Sequence, residues 1–231
     1  MAEVAKIERR YTAAPVHTIK RAEGDDDEKL SVIEGIAAKV GVRTSIGGWF
    51  DEIIKPGAFD EVLKDPDLDC RCLFNHDANM VLARKNKRTD TLELFLTPEG
   101  HLGYRYTTPN RSYAIDLQDA IGSGDVDQSS FAFRIKEQKW TWAEEGSGEA
   151  DLREIEKLAE LGDVSPVTYP AYADTEVSKR SYEEALKEAS PRASHLERSR
   201  EARGEGQNNE EKREGENTLQ RDLYDPIINS L

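Results

Sequence analysis

Two adjacent serines at the head of an apolar strand are the residues best placed to do chemistry. The run Asp127-Gln128-Ser129-Ser130-Phe131-Ala132-Phe133-Arg134-Ile135 alternates Phe131, Phe133 and Ile135 against Ser130, Ala132 and Arg134, the period of a β-strand. A hydroxyl at the start of a rigid strand is held in one direction, as a nucleophile must be, and Ser130 is the candidate. The plainer reading is that Ser129 and Ser130 only begin a strand after a turn. Gly122-Ser123-Gly124 is not a nucleophile elbow; it reads as a helix end and a turn. The two cysteines, Cys70 and Cys72, would share one face of a strand at roughly 7 Å, too far for an ordinary disulfide. They read as reduced core thiols of a reducing compartment. No Cys/His cluster has zinc spacing, and no cofactor or metal is expected.

Bulk composition narrows the classes of partner. The 231 residues carry a net charge of −14, which argues against a general electrostatic footprint for nucleic acid. The charge is densest after about residue 176, so the preceding part has the composition of an ordinary domain. The start, Met1-Ala2-Glu3-Val4-Ala5-Lys6, lacks the apolar core of a signal peptide. No stretch reaches the length of a membrane span. A soluble protein made in the cytoplasm, without a membrane partner, is expected.

The elements that must position the serines are mostly short strands. A strand is expected from about Val4 to Tyr11, and Ala13 to Lys20 offers a second. An acidic turn lies at Gly24 to Glu28. Leu30 to Val42 alternates, with a bulge or close contact expected at Gly35. Residues 43–64 are punctuated by Gly47, Gly48, Pro56 and Gly57. They read as a patterned loop, functional or a lid on a barrel end, followed by a short helix from Ala58 to Lys64. Asp69–Leu73, Val81–Arg84, Thr91–Leu96 and His101–Tyr106 are closely spaced strands of a meander. A helix follows, from about Thr108 to a C-cap at Gly122, with Ala114, Leu117, Gln118 and Ile121 inward. Lys139–Trp142 extends the serine strand or pairs with it, and Glu144–Gly148 is a flexible acidic loop. Leu152, Ile155, Leu158 and Leu161 recur every three residues, which fits a helix better than alternation, with a strand open as an alternative at the end of the segment. Asp163–Tyr172 holds Pro166 and Pro170 and reads as an edge strand or a strand exit. A helix is expected from Ser181 to Ala189. Residues 190–231 read as a disordered tail whose apolar end, Leu223–Ile228, would suit a docking peptide.

Four segments then resemble the motifs of one family in order. Gly47-Gly48-Trp49-Phe50-Asp51-Glu52, with Ile54-Lys55-Pro56-Gly57-Ala58-Phe59, is similar to the opening signature of the tailed-bacteriophage prohead serine proteases. Phe74-Asn75-His76-Asp77 resembles their histidine motif and Ser129-Ser130-Phe131-Ala132-Phe133 their serine motif. Leu161-Gly162-Asp163-Val164-Ser165, with Tyr169-Pro170-Ala171, resembles their closing block. The resemblance covers about residues 5–178. It implies a mainly β fold with peripheral helices, related to herpesvirus assemblin: a closed or nearly closed antiparallel barrel. It places a protease domain at 1–178 and a charged tail at 179–231 that targets the capsid interior or is cut away. Two positions depart from the pattern: Ala132 where glycine is usual, and Asp163 where glutamate is common.

The implied chemistry is acyl transfer at a peptide bond. The family pattern selects Ser130 over Ser129 as nucleophile, and the two must point to opposite faces of a strand. His76 would be the base, since histidine titrates near working pH. Asp163 is the candidate to fix its tautomer; the alternative is a strand-start carboxylate that binds turn amides. His17, His101 and His195 carry no motif. Oxyanion donors would be backbone amides near Ala132 or in the loop after Trp49. The implied partners are the phage major capsid protein and its scaffold segment, inside the procapsid in the host cytoplasm; a homo-oligomer is compatible with this. The rival reading is a non-catalytic, scaffold-like internal capsid protein that keeps a protease-like fold.

Overall fold

Alternation of apolar and polar side chains builds strands through most of the chain. A computed structural model describes residues 7–12, 16–19, 31–169 and 175–189. In order these form β1 (Glu8–Thr12), β2 (His17–Ile19), β3 (Val32–Ala38), β4 (Arg43–Ile46), β5 (Phe50–Ile54), α1 (Asp60–Lys64), β6 (Cys70–Leu73), β7 (Val81–Lys85), β8 (Leu92–Leu96), β9 (Leu102–Thr107), α2 (Ser112–Ser123), β10 (Gln128–Thr141), β11 (Leu152–Val167) and α3 (Thr175–Glu188). The acidic turn at 24–28, the segment from Pro170 to Asp174 and the tail from 190 lie outside the described residues. The chain divides into two units, 1–182 and 183–231; the core and site described below belong to the first.

The strands form two sheets. One runs β1-β10-β11-β5-β4, with β6 on β11 and β7 on β6; the other runs β2-β3-β9-β8. Their inner faces share one core that includes Ile33, Leu92, Leu102, Tyr104, Phe131, Phe133, Leu158 and Leu161. The mainly β class with peripheral helices therefore holds. The closed barrel does not appear: among the described strands neither sheet closes. The end strands β1 and β4 stay unpaired with each other and line a cleft of about 220 Å³, with Arg10 and Tyr11 on one wall and Thr44 and Ile46 on another.

Several local expectations change for physical reasons. Residues 43–54 are a hairpin, β4 paired to β5, turned by Gly47 and Gly48 at φ 57° and 72°. Two successive left-handed residues are what a tight hairpin turn requires, so these glycines mark a turn between strands. Gly124, at φ 86°, caps α2, and Gly122 lies inside the helix. Gly35 is a close contact as expected: a Cβ there would lie 2.6 Å from the Tyr104 hydroxyl. Cys70 and Cys72 are free and buried.

The largest correction concerns β11, whose first half reads as a helix in sequence. Its pairing with β10 joins Ile155 to Gln138, Lys157 to Glu137, Leu158 to Ile135, Glu160 to Arg134, Leu161 to Phe133 and Asp163 to Ala132. Glu156, Ala159 and Gly162 are skipped on the β11 side. Each skip is a bulge that places two residues opposite one. A bulge at every third residue turns the strand period of two into a period of three, so Ile155, Leu158 and Leu161 all face inward while mimicking a helical stripe. Nor is β11 an edge strand. It lies between β10 on one side and β5 and β6 on the other. Pro166 is tolerated because pairing with β6 involves only Asp163 and Val164.

Candidate active site

The site is assembled on the ladder of β10 and β11, where Ser130 pairs with Ser165 and Ala132 with Asp163. Strand alternation sends Ser129 and Ser130 to opposite faces. Ser129 points into the core, where its hydroxyl lies 2.9 Å from that of Tyr104. Ser130 points to the outer face, 2.7 Å from His76 Nε2. On the same face Asp163 Oδ1 lies 2.6 Å from His76 Nδ1. The structure thus brings Ser130, His76 and Asp163 into one hydrogen-bonded line, from three positions far apart in the chain.

His76 reaches this place through a strained turn. The chain leaves β6 at Leu73, and Asn75 and His76 take left-handed conformations at φ 53° and 59°. Such φ values are uncommon outside glycine, though asparagine accepts them most readily. The surroundings fix the turn. The Asn75 amide donates to the Pro166 carbonyl at 3.1 Å, and the Asp77 amide to the Phe74 carbonyl at 3.0 Å. The Asn75 side chain is clamped to Thr168: its Nδ2 donates to Thr168 Oγ1 at 3.0 Å, and its Oδ1 accepts the Thr168 amide at 2.9 Å. The clamp carries the imidazole across the end of β11. A backbone strained at a site and held by its surroundings is a common mark of function.

The hydrogen bonds set the tautomer. A carboxylate only accepts, so His76 Nδ1 carries the proton toward Asp163 and Nε2 is free to accept from Ser130. Asp163 is 8% exposed, and its Oδ1 also accepts the Ser165 hydroxyl at 2.7 Å. Neighbouring Cys70 and Cys72 stay protonated: burial pushes both thiols up, and Asp163 adds to the effect. Ser130 itself is fully buried. Its Oγ has a second acceptor within reach, the Arg10 carbonyl of β1 at 2.9 Å.

Strand β1 is fastened to its surroundings by four buried charges. Arg10 Nε and Nη2 meet Glu52 Oε1 and Glu8 Oε2, each at 2.7 Å. Arg153 Nη2 meets Glu8 Oε1 at 2.6 Å, and its Nη1 meets Glu52 Oε2 at 3.2 Å. Two cations and two anions cancel. Burial pushes the Glu8 carboxyl up, but Arg153 and Arg10 outweigh it and hold the carboxyl below its ordinary range. Arg10 is held firmly charged: burial opposes its charge, and Glu52 and Glu8 overcome that.

Sequence reasoning did not find this quartet, nor Asn75, Thr168 and Ser165 as supports of the site. Glu8 and Arg10 on one face of a strand were the only available signal. Of the other histidines, His17 approaches Glu34 at 3.8 Å and His101 Nδ1 accepts the Val40 amide; His195 lies outside the described residues. The segment after Trp49 is the strand β5 itself. β5 pairs with β11 from Leu152 to Ile155, whereas Ser130 pairs with Ser165 near the opposite end. Among the described residues no His/Cys/Asp/Glu group could hold a metal ion, and no helix is long and apolar enough to cross a membrane.

A hydroxyl, an imidazole and a buried carboxylate in line are the arrangement of nucleophilic-serine hydrolases, a constellation that recurs on unrelated folds. The model of one family, the caudovirus prohead serine proteases, matches residues 17–188, and the chain belongs to that family. Comparison with curated proteins and with solved structures returns no match.

Proposed function

We propose that the chain is a serine endopeptidase that cleaves scaffold or coat-protein segments, and its own tail, inside the phage procapsid. Ser130 Oγ attacks the scissile carbonyl carbon while His76 Nε2 takes the hydroxyl proton. The tetrahedral intermediate collapses, the C–N bond breaks, and His76 returns the proton to the leaving amine. Water, deprotonated by the same nitrogen, then attacks the Ser130 ester; the C–Oγ bond breaks, the acid product leaves, and His76 returns the proton to Ser130 Oγ. Asp163 keeps Nδ1 protonated and stabilises the imidazolium between steps. The observation that carries this reading is the unbroken line from Ser130 through His76 to Asp163, in a chain of the prohead protease family.

The work requires an opening. A carbonyl carbon cannot reach the Oγ of a fully buried serine, so the groups that cover Ser130 have to move on substrate entry. The same cover is the one observation that favours the rival reading, an internal capsid protein with a silent site. Co-expression with the cognate coat and scaffold proteins decides between them. Wild type should shorten the scaffold, Ser129→Ala should do the same, and Ser130→Ala should leave it intact. Intact scaffold beside wild type would support the silent-site reading.

A further inference from the structure

We infer that Ser165 is a positioning residue for Asp163: its hydroxyl locks the carboxylate in the orientation that holds His76 in line. This rests on the protease reading above.

The Ser165 hydroxyl donates to Asp163 Oδ1 at 2.7 Å, the same oxygen that His76 Nδ1 reaches at 2.6 Å. The terminal torsion of an aspartate is broad and two-fold, so a carboxylate held only by the imidazole is free to rotate and offer either oxygen. A second donor on Oδ1 removes that freedom. Ser165 is fully buried, which leaves no solvent to replace its hydroxyl, and hydrogen bonds to a charged group are among the stronger kind. Its position follows from the strand: residues 163 and 165 share a face, and Ser165 stands directly opposite Ser130. Nucleophile, carboxylate and tether are therefore fixed on the same rungs of one ladder. The short aspartate suits this device, because its carboxylate stays close to the β11 backbone. Ser165 is not a competing nucleophile, since its proton goes to a carboxylate and not to the imidazole.

A merely structural hydroxyl and a positioning one predict different kinetics. A residue that acts by orienting Asp163 should, on its loss, act on kcat and leave KM little changed. Ser165 acts through Asp163, so its effect should vanish once that carboxylate is gone. The test uses the purified full chain and the cognate coat–scaffold protein as substrate. Ser165→Ala should lower kcat about tenfold, on the scale of one charge-assisted hydrogen bond, and Ser165→Thr, which keeps the hydroxyl, should restore most of it. In an Asp163→Ala background, Ser165→Ala should change kcat by less than about twofold. Unchanged kcat in Ser165→Ala, or effects that multiply in the double variant, would overturn the inference. Ser130→Ala separates the two levels. If it cleaves like wild type, the protease reading fails and this inference fails with it. If it is inactive while the Ser165 and Asp163 effects multiply, only the inference fails.

Discussion

Ser129 and Ser130 are the same residue type, adjacent on β10 and both fully buried, yet they belong to different regions of the molecule. Ser129 faces the core and exchanges a hydrogen bond with a buried tyrosine. Burial pushes the Tyr104 hydroxyl well up, so it stays protonated and is no base for Ser129. Ser130 faces the other way, to an imidazole backed by a carboxylate. One step along a strand therefore separates a hydroxyl tied to a core tyrosine from one in line with an imidazole and a carboxylate. Burial does not distinguish them; the partner does.

The comparison breaks most visibly through activity. Ser130→Ala and His76→Ala should each lower scaffold cleavage by about 10⁴-fold or more, whereas Ser129→Ala should stay within a few-fold of wild type. Quantified cleavage of the coat–scaffold protein checks this, and a large loss in Ser129→Ala with a small one in Ser130→Ala would reverse the assignment. Asp163→Asn keeps the shape and changes the hydrogen-bond pattern at Nδ1. It should cost about 10²–10⁴-fold in kcat, with binding little altered.

The next effects fall on stability. Glu52→Gln leaves Arg10 and Arg153 short of a counter-charge in a buried place, and breaking a buried ion network costs about 3–5 kcal/mol. A lowered urea midpoint at unchanged slope would show it. Glu8 adds a pH dependence. Its native carboxyl is held low, so its contribution is complete above the unfolded value near 4.5 and is lost as pH falls through the depressed native value. Stability should therefore drop in acid below about pH 4.5, and Glu8→Gln should flatten that drop. Tyr104→Phe gives the smallest loss, about 1–3 kcal/mol, because it leaves the Ser129 hydroxyl buried without its partner. Cleavage should be unaffected.

The chemistry of the site was more legible in the sequence than the scaffold that holds it. Ser130, His76 and Asp163 each sit in a short motif whose order carries the reading, and alternation at Phe131 and Phe133 predicted the strand of Ser130. The three-residue period of Leu152, Ile155, Leu158 and Leu161 pointed to a helix because a bulged strand and a helix present the same apolar spacing; only the β10 register separates them. The glycine-rich run at 47–48 looked like a loop because a tight hairpin turn and a loop share residue types. The quartet of Glu8, Arg10, Glu52 and Arg153 had only a faint local signal, Glu8 and Arg10 on one face of β1, since buried charges are matched across the fold and not along the chain. The closed barrel came from resemblance, and the free edges of β1 and β4 depend on how far one sheet curls, which no residue pattern encodes.

The most direct test of the central claim is to trap the nucleophile. The full chain is treated with a serine-directed fluorophosphonate under conditions in which it cleaves scaffold, and the modified peptide is mapped by mass spectrometry. A single adduct on Ser130, absent from His76→Ala, is the predicted result. An adduct on Ser129, or equal labelling with and without His76, would contradict the account.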